Sequence, residues 1–183
     1  MYDLVIVGAG PAGIFTALEL VRKKSRKKIL MVEKGNPVQG RRCPKNVTGQ
    51  CVNCKPYCHI TTGFSGAGAF SDGKLNTGTR DPRHRFILEQ LTACGAPEDI
   101  LIDAKPHVGT DYLHVVLVNL RAKLLALGAD IRFSHQLTGL SVQAGQLDAL
   151  TVEGPEGAYR LPCSRLILCP CLLYTSPSPR DRG

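Results

Sequence analysis

The feature that most constrains this chain is the hexapeptide Gly8-Ala9-Gly10-Pro11-Ala12-Gly13. It directly follows a short apolar, β-rich run, Asp3 to Val7, and directly precedes a helix-forming stretch. In such a turn the first glycine permits the sharp reversal, the second lets backbone approach a pyrophosphate, and the third lets the helix lie close to the strand. From Pro11 to Val21, the residues Ile14, Ala17, Leu18 and Val21 share one helical face. Ile29 to Val32 reads as a second buried strand, closed by Glu33 with Lys34 beside it. Strand, glycine turn, helix, strand and acid together form the context that gives a GxGxxG pattern meaning. The helix start offers free N–H groups and partial positive charge to phosphates. Glu33 stands twenty residues after Gly13; a carboxylate there accepts from a ribose diol and repels a 2′-phosphate, which disfavours NADP at this site.

Beyond Glu33 the periodicity lapses. Gly35 to Thr62 carries no clear period, and Thr62 to Gly78 is rich in glycine and serine. Asp81 reads as an N-cap with Pro82 at the first helical position, that helix running to about Cys94 and stopping at Gly95. Thr110 is expected to cap a longer helix with the stripe Leu113, Val116, Leu117, Leu120, Leu124 and Leu127, ended by Gly128. Ala129 to Phe133 reads as a strand. From Gln136 to Leu161 the pattern alternates, with turns at 144–146 and 154–157, which predicts a three-stranded antiparallel meander. Arg165 to Cys169 reads as a last buried strand. The fold class expected is α/β: a Rossmann-like FAD/NAD(P)-binding fold, with a central parallel sheet and a crossover β-meander, incomplete at its far end.

The glycine turn alone does not separate FAD from NAD. A second small-residue loop, Thr61 to Leu75, contains Gly66-Ala67-Gly68-Ala69 and Asp72-Gly73-Lys74. Its backbone N–H groups can approach a phosphate, a ribityl chain or a flavin edge, and a plain NAD domain has no need of it. FAD is therefore the expected cofactor, with NAD(P)H as an electron partner. Asp72 is a candidate acceptor for backbone N–H groups, and Lys74 a candidate counter-charge to phosphate or flavin. His107, before the long helix, is a candidate proton donor, although no catalytic residue is singled out.

The net charge of +8 raises nucleic acid as a partner. Six of the positive charges, however, lie in the single run from Arg22 to Lys28, where the first helix should end. Cations there complement the helix dipole, and no aromatic residues interleave with them to stack bases. A small-molecule substrate is expected, and neither nucleic acid nor membrane as a partner. No apolar stretch is long enough for a membrane-spanning helix, and the start lacks the basic flank of a signal peptide, so the location expected is cytoplasmic.

Eight cysteines in such a compartment read as thiols, metal ligands or redox groups before structural disulfides. Cys43, Cys51, Cys54 and Cys58 fall within sixteen residues, and Cys51-Val52-Asn53-Cys54 is a C-x2-C pair. Three readings stay open: ligands of zinc or of an iron–sulfur cluster, a redox dithiol serving the flavin, or packing thiols. His59 is a possible substitute ligand.

The start, the cysteine-rich stretch, Gly63 to Leu75 and Lys105-Pro106-His107-Val108-Gly109-Thr110-Asp111 together resemble the bacterial FAD-dependent dehydrogenases of uncharacterised substrate. These belong to the two-dinucleotide-fold flavoproteins, similar in architecture to glutathione reductase. The resemblance covers residues 1–169 and implies an FAD-binding domain there, with a cysteine-rich insertion at about 36–62. It implies that Gly8, Ala9, Gly10, Pro11, Ala12, Gly13, Glu33 and Lys34 hold the ADP half of FAD. It also implies that the Gly63 to Lys74 loop lies near pyrophosphate and flavin, and that Leu137 contacts adenine by main chain. The activity implied is that of an oxidoreductase, with hydride transfer through noncovalently bound flavin. The family pattern departs at Cys171, which stands where a glycine is expected. Residues 170–183 resemble a translated sequencing-adapter tail; the expectation is a non-native or disordered end to a partial domain, and a fragment inactive by itself. The other classes are an NAD-binding protein without flavin, a cysteine-cluster module binding metal or nucleic acid, and a truncated product with no function.

Overall fold

The computed structural model describes residues 2–23, 27–75, 81–103 and 105–171. The middle of the basic run, the end of the second glycine-rich loop and almost all of the expected tail lie outside the described residues. The chain begins with β1 (Leu4–Val7), α1 (Pro11–Arg22) and β2 (Ile29–Glu33). A cysteine-rich segment containing only a one-turn α2 (Lys45–Thr48) follows. Then come α3 (Arg83–Thr92), α4 (Thr110–Ala126) and β3 (Asp130–Phe133), the meander β4 (Gln136–Gln143), β5 (Gln146–Gly154) and β6 (Gly157–Pro162), and finally β7 (Leu166–Leu168).

Four strands form a parallel sheet in the order β3-β2-β1-β7, and β4-β5-β6 form a separate antiparallel sheet. Strand alternation explains how one sheet serves two layers, because successive side chains point to opposite faces. Leu4 and Ile6 of β1, with Ile29 and Met31 of β2, join Ile14 and Leu18 of α1 and Val116, Leu120 and Leu124 of α4 in the larger core. Val5, Leu30 and Val32 instead meet Leu150, Val152 and Leu161 of the meander in a second core. The result is a helix layer, a parallel sheet and an antiparallel sheet stacked in that order. The strands β1 and β2 are buried along nearly their whole length, as parallel strands covered on both faces must be.

The expected elements are present within one or two residues of their ends, but the last strand, β7, is an edge strand with no buried residue rather than a buried one. Two capping assignments change. Pro82 rather than Asp81 is the residue before α3, which begins at Arg83, and the Asp81 carboxylate accepts from the Arg83 amide at 2.8 Å. Gly109, with φ 83°, is the residue before α4, and Thr110 is its first helical residue with no side-chain cap. The left-handed φ explains why the chain uses glycine there.

The buried thiols Cys94 and Cys163 sit in these two cores, 3% and 2% exposed, and burial pushes both thiols above their ordinary pKa. They are expected to resist iodoacetamide at neutral pH until guanidinium unfolds the chain. Peptide mass spectrometry reads this directly, and native-state labelling as fast as that of exposed Cys51 would show the cores to be loose.

Candidate dinucleotide-binding site

The carboxyl ends of the parallel strands open onto a cleft of about 490 Å³, within the range of small-molecule sites. Its floor is Val7, Gly8, Val32 and Glu33, and one side is Gly10, Pro11 and Ala12. This is the crevice beyond the strand ends where open α/β sheets bind ligands. Helix α1 points its N-terminus into the cleft, with Gly10 as its N-cap and Pro11 as its first residue.

The three glycines have distinct constraints. Gly8 has φ 101°, and a Cβ there would strike the Cys169 carbonyl. Gly13 faces the Gly8 carbonyl so closely that a Cβ would overlap its oxygen. Gly10 is different, because no atom lies within 4 Å of where its Cβ would be. The space beside Gly10 belongs to the cleft, so a side chain there would occupy ligand volume rather than protein volume.

Glu33 is buried, 6% exposed, and both its carboxylate oxygens are engaged. Oε2 accepts from the Ala9 amide and Oε1 from the Gly35 amide, each at 2.8 Å. The acid therefore holds the glycine turn in place while lining the cleft. Each oxygen keeps a further lone pair, so the group can still accept from a diol.

The opposing wall comes from Thr61, Thr62, Gly63, Ser65, Gly66, Ala67 and Gly68, and the far end from His135, Gln136 and Leu137. The two glycine-rich loops are joined directly, the Ser65 amide donating to the Ala9 carbonyl at 2.6 Å. Gly35 and Gly63 approach so closely that a Cβ on Gly35 would lie 2.5 Å from the Gly63 nitrogen. Thus Gly8, Gly10, Pro11, Ala12, Glu33, Lys34, Gly66, Ala67, Gly68 and Leu137 all reach the cleft. Ala9 and Gly13 stand just behind it as packing residues.

The second loop leaves the cleft earlier than its glycine pattern suggests. A short 3-10 turn, Gly66–Phe70, redirects the chain. Ala69 then lines a separate hollow with Phe70, Arg42 and His114. Asp72 and Lys74 pair with each other at 3.0 Å on the surface. Gly73 packs against Val108, and exposed His107 makes a backbone bridge to Lys74. None of these residues lines the cleft. The physical reason is pairing: the Gly73 carbonyl accepts from the Val108 amide, and the Leu75 amide donates to the Pro106 carbonyl. That draws 72–75 away from the strand ends.

Arg41, which motif reasoning passes over, organises the second wall. It is buried, 4% exposed. Its Nε donates to the His59 carbonyl at 2.9 Å and Nη1 to the Phe64 carbonyl at 2.6 Å. Nη2 donates to the Ile60 and Gly66 carbonyls at 2.6 and 2.8 Å. The guanidinium also lies over the Phe70 ring, 4.8 Å from its centre. Burial pulls its pKa down to about 10, while Glu33 and Cys58 act the other way. One sequence sign pointed to such a role. Residues 35–71 contain no aspartate or glutamate, yet they contain Arg41, Arg42, Lys45 and Lys55.

The cysteine-rich segment lies behind this wall. Cys43, Cys51, Cys54, Cys58 and His59 line a common cavity of about 370 Å³. Backbone N–H groups of Thr61 and Ile60 hold the Cys58 thiol below its ordinary pKa. No disulfide links any of these cysteines.

Fold and cleft together define a dinucleotide-binding α/β protein of the Rossmann kind. More narrowly, the chain belongs to the family described as pyridine nucleotide-disulphide oxidoreductase, whose sequence pattern it matches over residues 2–169. A protein of uncharacterised function from Clostridium beijerinckii is 37% identical over 164 residues, 90% of this chain and 30% of that protein. The 12-dehydrotetracycline 5-monooxygenase/anhydrotetracycline 6-monooxygenase of Streptomyces rimosus is 28% identical over 176 residues, 92% of this chain and 30% of the enzyme. The chain thus spans about a third of the length of these relatives. Among solved structures, glycine oxidase from Bacillus cereus superposes with a TM-score of 0.56 at 15% identity, covering 92% of this chain and 55% of the oxidase. The 3-ketosteroid Δ4-(5α)-dehydrogenase of Rhodococcus jostii superposes with a TM-score of 0.55 at 13% identity, covering 91% and 45%. These likenesses establish the fold. Among the described residues no helix is long and apolar enough to cross a membrane.

Proposed function

We propose that this chain is the FAD-binding part of a flavin-dependent oxidoreductase acting on a small molecule, with NAD(P)H as electron partner. The observation that carries the reading is the pairing of a helix N-terminus open to the cleft with Glu33, which anchors the glycine turn and retains acceptor capacity. Membership of an oxidoreductase family supports it, and so does the monooxygenase activity named for the Streptomyces relative.

The residues present fit FAD. The open space at Gly10 suits a pyrophosphate approaching the α1 amides. Glu33 suits the adenosine ribose, and the main chain around Leu137 suits adenine. The small residues of 63–68 provide a second wall that a mononucleotide would leave largely uncovered. Bound flavin would supply the two-electron hydride chemistry, with the protein supplying binding and orientation. Within this chain the residues bind and orient; the substrate-facing surface is assigned to the part of the protein that the relatives have beyond this span.

The test is Glu33→Ala, followed by equilibrium titration with FAD. Loss of a charged acceptor for two amides and a ribose diol costs about 3 kcal/mol, so affinity is expected to fall roughly 100-fold. Unchanged affinity would remove Glu33 from the site. Tighter binding of NAD than of FAD by the unaltered chain would favour a pyridine-nucleotide domain without flavin.

A further inference from the structure

The cysteine-lined cavity carries no metal site, because among the described residues no three His, Cys, Asp or Glu side chains are placed to hold an ion. The separate hollow at the end of the Gly66–Phe70 turn is different. Gly66, Ala67 and Gly68 line the dinucleotide cleft, while Ala69 and Phe70 of the same turn line the hollow, which has a volume of about 290 Å³. That is the lower end of small-molecule site sizes. Arg41 also lines it, and its charge is out of balance. Arg41 is 4% exposed, and a buried charge ordinarily has a charged partner. Its four hydrogen bonds instead go to neutral carbonyls. No carboxylate pairs with it among the described residues, and Glu33 and Cys58 attract it only at longer range. A guanidinium has five N–H groups, so one, on Nη1, is left over. The rest of the hollow repeats the signal. Arg42 and His114 line it, both exposed, and neither has a hydrogen-bond or ion-pair partner among the described residues. Among those residues no acid lines the hollow; Asp111, one turn before His114 on α4, is exposed outside it. Phe70 is 41% exposed and offers a flat apolar surface beside these cations.

We propose that this hollow binds an aromatic carboxylate, and that aromatic carboxylates are the substrate class of the protein. A carboxylate supplies the negative charge that Arg41 lacks, and its planar pair of oxygens matches the fork of a guanidinium such as that of Arg42. The ring of the ligand packs on Phe70. Because one turn lines both spaces, a molecule in the hollow lies beside the second wall of the cleft. The binding stands on the hollow alone; calling the bound anion a substrate rests on the reading of the cleft as an FAD site.

The experiment is equilibrium dialysis of the full chain against salicylate, with salicylamide as its uncharged counterpart. Salicylate should bind one per chain with a Kd at or below about 1 mM, and salicylamide about tenfold more weakly or worse. Arg42→Gln should weaken salicylate about tenfold and Phe70→Ala about fivefold. Both positions are exposed, and circular dichroism checks that the variants fold. Lys45→Gln, at an exposed cation lining the cysteine cavity instead, should leave binding unchanged. Equal binding of the acid and the amide, or undiminished binding in folded Arg42→Gln, overturns the proposal. So does displacement of salicylate by inorganic phosphate as readily as by benzoate, which would make the hollow a phosphate site. The same preparations are titrated with FAD. FAD binding without salicylate binding rejects the hollow and leaves the flavin reading standing. Salicylate binding without FAD binding supports the anion site and overturns its role as a substrate site.

Discussion

Gly13→Ala is expected to lower stability by about 3 kcal/mol, a large effect for one methyl group. The added Cβ would fall on the Gly8 carbonyl oxygen and lie 3.6 Å from the Cys169 Cβ. Neither obstacle is the end of a flexible side chain. To admit the methyl, α1 must move off β1, and α1 and β1 share the larger core through Ile14, Leu18 and Ile6. The same movement displaces the α1 N-terminus from the cleft, so dinucleotide affinity should fall together with stability. Gly10→Ala separates these effects. Its Cβ meets no protein atom within 4 Å, and its φ of −72° is ordinary for alanine. The fold should lose about 0.5 kcal/mol, while affinity falls by at least tenfold because the methyl occupies ligand space. Thermal melts and titrations of the two variants check the pair. Equal stability losses would show that the helix-to-strand approach is not the constraint described here.

Arg41→Met should be comparably severe. The substitution keeps much of the apolar stem but removes donors from four backbone carbonyls. Buried acceptors left without a donor cost about 1–3 kcal/mol each. Water will reach some of them, so a total near 4 kcal/mol is expected. Arg41→Lys should recover only part of this, since an ammonium cannot present a planar fork to four oxygens. Because Gly66 and the neighbouring carbonyls belong to the cleft wall, FAD affinity should fall as well. A melting temperature close to that of the unaltered chain in Arg41→Met would remove Arg41 from its organising role.

The parts of the fold that could be read from sequence are those where one local pattern decides the outcome. The glycine turn between two apolar runs predicted β1, α1 and β2. The stripe from Leu113 to Leu127 predicted α4, and its positions up to Leu124 are the helix's buried residues; Leu127 instead follows the last turn and is exposed. Alternation between residues 136 and 161 predicted the meander; Leu150, Val152 and Leu161 of β5 and β6 are buried against Val5, Leu30 and Val32, whereas β4 contributes only partly buried Leu137 and leaves Leu140 and Val142 exposed. The first wall of the site was legible for the same reason. The second wall was legible only as far as Gly68. Small residues signal close backbone approach without naming the partner, and for Gly73 the partner is Val108 rather than a ligand. Pairing between residues 73–75 and 106–108 is a long-range choice that no local pattern encodes. Arg41 was missed because its partners are carbonyl oxygens, which every residue carries. Only the lack of acids in residues 35–71 hints that the arginine must look to the backbone.

The most direct measurement is an equilibrium titration of the purified chain with FAD, followed by flavin fluorescence, with Gly10→Ala in parallel. The predicted result is saturable one-to-one binding with a changed flavin fluorescence, weakened at least tenfold in the variant. An unaltered chain that is folded by circular dichroism and binds NAD but not FAD, or binds neither, would contradict the account.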